Sequence, residues 1–229
     1  LVVCVTLLLA LVFQSAFDAD PRLRRLCLAL ALLPLLRLAA ASLTPVVIEF
    51  FEPAVTRAIL AVVWLLAAAL VMRQLDLTPA LVGLRPGEGP LLLPAYFAAV
   101  ILGPLAGLAQ FGLLQAQPLI QLVREPWEVT VALQALGLFI GLVEALVFFG
   151  VLLQTARARL GSRVGVVFTA VLFAALQMGY LSWPFFLIAL LWGAGLGWAT
   201  LKTRTLFPAI LAHGLALATL LVTSAVMTW

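Results

Sequence analysis

Residues 129–154 read VTVALQALGLFIGLVEALVFFGVLLQ, a run of 26 residues with one ionisable side chain, Glu144. At a helical rise of about 1.5 Å per residue, a run of this length is longer than the roughly 30 Å hydrocarbon core of a bilayer is thick. In that environment a helix is the solution for a single segment, because it pairs every backbone N–H and C=O internally. The stretch therefore reads as a membrane-spanning helix that carries one carboxyl group in its interior.

The rest of the chain repeats the pattern. Apolar runs occupy Leu1–Phe17, Leu26–Leu43, Thr56–Met72 and Pro90–Leu114 before this stretch. Val164–Leu181, Pro184–Leu201 and Leu206–Thr228 follow it. The sequence predicts an all-α, polytopic transmembrane helix bundle of about eight spans, forming a single transmembrane domain over residues 1–229. Composition agrees: 66% of the residues are hydrophobic and 10% charged, with mean hydropathy +1.25. A soluble domain carries about 25% charged residues, and disorder needs low hydrophobicity, so both classes are excluded. Leu1–Phe17 lacks a basic start and a clear small-residue cleavage site, and it reads as a first span rather than a signal peptide. Thr44–Pro53 (TPVVIEFFEP) is too short to cross and reads as an interfacial or re-entrant piece, and Arg73–Gly89 as a surface connection.

The formal net charge of +4 reports topology. Ten of the 13 basic residues fall after the first, third, fifth and seventh spans: Arg22, Arg24, Arg25; Arg73, Arg85; Arg157, Arg159, Arg163; Lys202, Arg204. Glu49, Glu52, Glu125 and Glu128 fall on the other side. The positive-inside rule puts the basic loops in the cytoplasm and both termini outside. Basic residues confined to short loops predict no nucleic-acid partner. Twelve Arg against one Lys points to a GC-rich genome, and hence to a bacterial cytoplasmic (inner) membrane. Cys4 and Cys27 form no metal-ligand spacing and are not expected to pair.

Polar side chains inside spans are costly and mark functional candidates. Four stand out: Arg37, Glu144, Gln177 and His213. Counted from the basic loops, Glu144 and Arg37 lie about 15 Å deep, His213 about 10 Å and Gln177 about 20 Å, so the four can converge. Structural roles compete with chemical ones. Glu144 can be protonated, or paired with Arg37 as a lock between helices; His213 and Gln177 can bond neighbouring helices; Gly103, Gly107, Gly193, Gly195 and Gly197 can mark close packing. Trp127, Trp183 and Trp229 lie near span ends, as interfacial anchors do. No HExxH, GxSxG, Walker or paired-Asp motif is present, and one His with one buried Glu makes no metal site, so no cofactor is predicted. The chemistry left is a buried Glu acting as general base on a water.

Three segments carry a resemblance to a known family. They are Glu144-Ala-Leu-Val-Phe-Phe-Gly150, Phe173-Ala-Ala-Leu-Gln177, and Gly193 through Arg204-Thr-Leu-Phe-Pro-Ala-Ile-Leu-Ala-His213. In order and spacing they resemble the CPBP family, the CAAX-type prenyl endopeptidases and bacteriocin-processing proteins, over about residues 129–220. The resemblance implies that Glu144 matches the water-activating Glu and His213 the final His. It also implies that Ala145 replaces a second Glu, Phe149 an Arg, Gln177 the second-motif His and Leu217 the oxyanion Asn. The site it predicts is Glu144, Gln177 and His213. The reading that follows is a non-catalytic, CPBP-like accessory or binding subunit of a membrane complex, with lateral membrane-protein partners and the lipid bilayer around it. The alternative is an active glutamate-dependent intramembrane peptidase. A second alternative is a pigment- or lipid-binding subunit, with His213 the one available axial ligand.

Overall fold

The structure is a computed structural model that describes residues 1–50, 53–114, 126–177 and 183–226. Its helices are α1 (Val2–Phe17), α2 (Pro21–Phe50), α3 (Pro53–Gln74), α4 (Leu92–Leu114) and α5 (Pro126–Ala145). A π-helical segment (Leu146–Leu152) joins α5 without a break to α6 (Leu153–Leu160). Then come α7 (Ser162–Leu176), α8 (Trp183–Thr203) and α9 (Phe207–Val226), and no strand occurs among the described residues. Six helical stretches are long and apolar enough to cross a membrane, and α1 and α7 are shorter apolar helices. The protein is an all-helical membrane protein, as its hydropathy predicts.

Local chemistry sets several helix ends. Asp20 Oδ1 accepts the Arg22 N–H at 2.8 Å, directly before Pro21 opens α2 with a residue that needs no partner for its nitrogen. Thr205 Oγ1 does the same for the Phe207 N–H at 3.4 Å, just before Pro208 in α9. Some boundaries differ from the sequence reading. The helix bearing Glu144 runs on to Leu160, so Arg157 and Arg159 belong to its last turn rather than to a loop, where cations face free carbonyls. α7 stops at Leu176, short of the expected Leu181, and residues 178–182 lie outside the described ones. Thr44–Phe50 continues α2 instead of forming a separate piece; residues 51–52 lie outside the described ones.

α9 is held between α4 and α5 by glycines. A Cβ on Gly107 would stand 2.4 Å from the Ala216 carbonyl oxygen, and one on Gly141 would stand 2.3 Å from Gly214 Cα. Gly103 and Gly137 press on Ala212 and Ala218 in the same way, from opposite faces of α9. Small residues of this kind let helix backbones approach where lipid supplies no hydrophobic drive. Gly193 meets Phe173 closely, whereas a Cβ on Gly195 would meet nothing, so the glycines of α8 do not all mark packing.

The basic connections gather at one end of the bundle. Arg159 pairs with Asp20 at 3.3 Å, and Arg85 Nε donates to the Arg204 carbonyl at 3.2 Å. The segment from Arg73 to Gly89 is more than a surface connection: Leu206 N–H donates to Gly83 O at 2.8 Å, Glu88 N–H to Thr203 O at 3.0 Å, and Val82 is fully buried against Gly150. Cys4 and Cys27 are both free.

Candidate functional site

Glu144 and His213 face each other across the glycine seam. Gly141 lies one turn before Glu144, and Gly214 follows His213, so the backbone contact of the two glycines sets the spacing of the two side chains. Glu144 Oε2 stands 2.7 Å from His213 Nε2. His213 is 2% exposed, while Glu144 keeps 16%. Phe173 lies edge-on to the imidazole, ring centroids 5.4 Å apart, and Phe148 lies edge-on to Phe173 at 5.2 Å. Phe149, fully buried, closes the same aromatic wall. The π-helical segment that delivers both phenylalanines begins two residues after Glu144; such wide turns recur at functional sites.

The second imidazole nitrogen is engaged as well. Trp192 Nε1 lies 3.4 Å from His213 Nδ1. An indole nitrogen can only donate, so Nδ1 is an acceptor and the proton of a neutral imidazole sits on Nε2. Nε2–H then donates to Glu144 Oε2, which orients the carboxylate. Trp192 is absent from the sequence reading; its signal was an indole in the middle of an apolar helix, where the N–H needs a partner.

Glu144 lines a cavity of about 220 Å³ together with Gln177, Leu217, Arg57, Trp64 and apolar residues of α3, α5 and α9. The three positions Glu144, Gln177 and Leu217 thus share one space, and His213 stands behind Glu144 rather than on the cavity wall. Arg37 does not pair with Glu144. Its Nη2 donates to the carbonyl of Leu176, the last residue of α7, where helix carbonyls take donors from outside the helix. The lock between Arg37 and Glu144 is therefore replaced by two separate contacts, Arg37 to the end of α7 and Glu144 to α9. Glu144, Gln177 and His213 are brought together, and Arg37 reaches only the backbone of the residue before Gln177. On its other face Trp192 borders an apolar groove of about 700 Å³ between α4 and α8. Among the described residues no three His, Cys, Asp or Glu side chains come together to hold a metal ion.

Chemically, the arrangement offers a carboxylate with a fixed hydrogen-bond donor on one oxygen and a small cavity beside it. Such a carboxylate can accept a proton from a bound group or water. Within the described lining, Gln177 supplies an amide, which makes hydrogen bonds without titrating, and Leu217 supplies none.

Residues 126–219 match the family model described as type II CAAX prenyl endopeptidase Rce1-like. The matched segment is less than half of the chain, and it contains Glu144, Gln177, Trp192, His213 and Leu217. It agrees with the likeness to the CPBP family read from the motifs. No curated protein and no solved structure matches the chain.

Proposed function

We propose, from the Rce1-like segment and the cavity within it, that this membrane protein is a non-catalytic binding or accessory subunit of a membrane complex. The observation that carries the reading is the company Glu144 keeps. Gln177 and Leu217 line its cavity at the positions where the family resemblance implies a His and an Asn. Gln exchanges no proton at neutral pH, and Leu donates no hydrogen bond to an oxyanion. Loss of one oxyanion donor alone costs about 10²–10³ in rate. A pocket of about 220 Å³ with one carboxylate that lacks these groups suits holding a segment rather than cutting it.

Short connections leave the partner little soluble surface, so partners dock laterally within the bilayer. The basic end, with Arg85, Arg157, Arg159 and Arg204, faces the cytoplasm of a bacterial inner membrane, with both termini outside. The test is extraction in mild detergent: the protein migrates with a larger membrane complex, and Glu144→Gln migrates with it too. Recovery as a lone monomer contradicts the reading.

The second reading, a glutamate-dependent peptidase, is favoured by the Glu144–His213 contact at 2.7 Å. In it, Glu144 takes a proton from water in the cavity, and Gln177 orients the scissile carbonyl. Pigment ligation is not favoured, because Glu144 and Trp192 occupy both His213 nitrogens.

A further inference from the structure

A separate cavity of about 310 Å³ opens at the end of the bundle where the basic connections meet. Arg85, Arg157 and Arg204 line it together with Gln154 and Thr200. The three arginines come from three places: the connection between α3 and α4, the last turn of α6, and the turn between α8 and α9. A bias of basic residues toward one side of the membrane puts arginines at this end. It does not by itself converge three of them on one small space, where like charges repel. Glu88, 3.4 Å from Arg204, offsets one of the three, and both side chains of that pair are more than 60% exposed, 66% and 62%.

The convergence is built into the backbone. Arg85 Nε donates to the Arg204 carbonyl at 3.2 Å, and Thr205, fully buried, donates to the Arg85 carbonyl at 2.7 Å. Arg204 itself adopts φ 53 just past the end of α8, a position that glycine usually fills. An arginine there accepts an unfavourable backbone conformation and places a guanidinium on the cavity wall. Guanidinium groups match phosphate oxygens with paired hydrogen bonds, and basic pockets between helices on the cytoplasmic side suit lipid phosphates.

We propose that this cavity binds a phosphate group, presented by an anionic phospholipid headgroup or as free phosphate. Along the continuous helix Arg157 lies about 20 Å from Glu144, so the site is independent of the function proposed for the Glu144 cavity. The experiment uses the full-length protein in non-ionic detergent. Native mass spectrometry measures retention of phosphatidylglycerol and of phosphatidylcholine, and thermal unfolding is followed with each lipid and with inorganic phosphate alone. Phosphatidylglycerol is retained in preference to phosphatidylcholine. Arg157→Gln and Arg204→Gly each weaken its binding about five-fold, the worth of one basic residue at an anionic surface. Glycine suits φ 53, so Arg204→Gly removes the charge without harming the fold. Arg163→Gln, outside the cavity, leaves binding unchanged. Stabilisation by inorganic phosphate as large as that by the lipid identifies free phosphate as the source; stabilisation by the lipid alone identifies the headgroup. Equal retention of both lipids with no response to phosphate overturns the proposal. So does an Arg163→Gln loss as large as that of Arg157→Gln, which makes the effect a diffuse field.

Discussion

Against α4 and α5, α9 meets glycines at backbone distance, whereas against α8 it meets Trp192, beside an apolar groove of about 700 Å³. Both sides converge on His213. The tight side fixes where the imidazole stands relative to Glu144, through Gly141 on Gly214. The open side fixes only which nitrogen carries the proton, through one hydrogen bond of 3.4 Å. Position is thus set by incompressible backbone contact, and protonation by a side chain with space behind it.

The largest effect is expected at Gly141. Gly141→Ala places a Cβ 2.3 Å from Gly214 Cα, with no flexible side chain to move aside. Overpacking of this kind costs about 1–3 kcal/mol, and it separates Glu144 from His213. Thermal unfolding in detergent reads the loss; an unfolding temperature equal to the wild type's means that the seam does not set the spacing. A smaller effect is expected at Trp192→Phe, which removes one long hydrogen bond worth about 1 kcal/mol. Its sharper readout is the imidazole itself. His213 is the single histidine, so ¹⁵N-histidine labelling gives the signals of one imidazole ring, one from each nitrogen. The wild type shows the proton on Nε2, and the variant shows a mixture of tautomers; an unchanged spectrum removes Trp192 from the account. Gly195→Ala is expected to be the mildest, because a Cβ there meets nothing within 4 Å. Alanine is the better helix former by up to about 1 kcal/mol, so the unfolding temperature rises or stays level. A fall would show that the open side is as tightly packed as the other.

Glu144, Gln177 and His213 were legible because each interrupts an apolar run. Legibility ended where a partner depended on non-local geometry. Opposite charge suggested a pairing of Arg37 with Glu144; in the fold the arginine bonds the Leu176 carbonyl at the end of α7, because a helix terminus takes donors as a carboxylate does. Trp192 was passed over among tryptophans that read as interfacial anchors. Its role depends on the register of α8 against α9, which hydropathy does not encode. Val82 lies in a connection of mixed polarity, and its burial depends on space beside Gly150, a residue far along the chain.

The proposal above is that the Glu144 cavity holds a membrane segment without cutting it. Its most direct test is hydrolysis of a prenylated CAAX peptide by the purified, membrane-reconstituted protein, with Glu144→Gln measured alongside. Both proteins are expected to show the same background rate. Cleavage by the wild type that Glu144→Gln abolishes would contradict it.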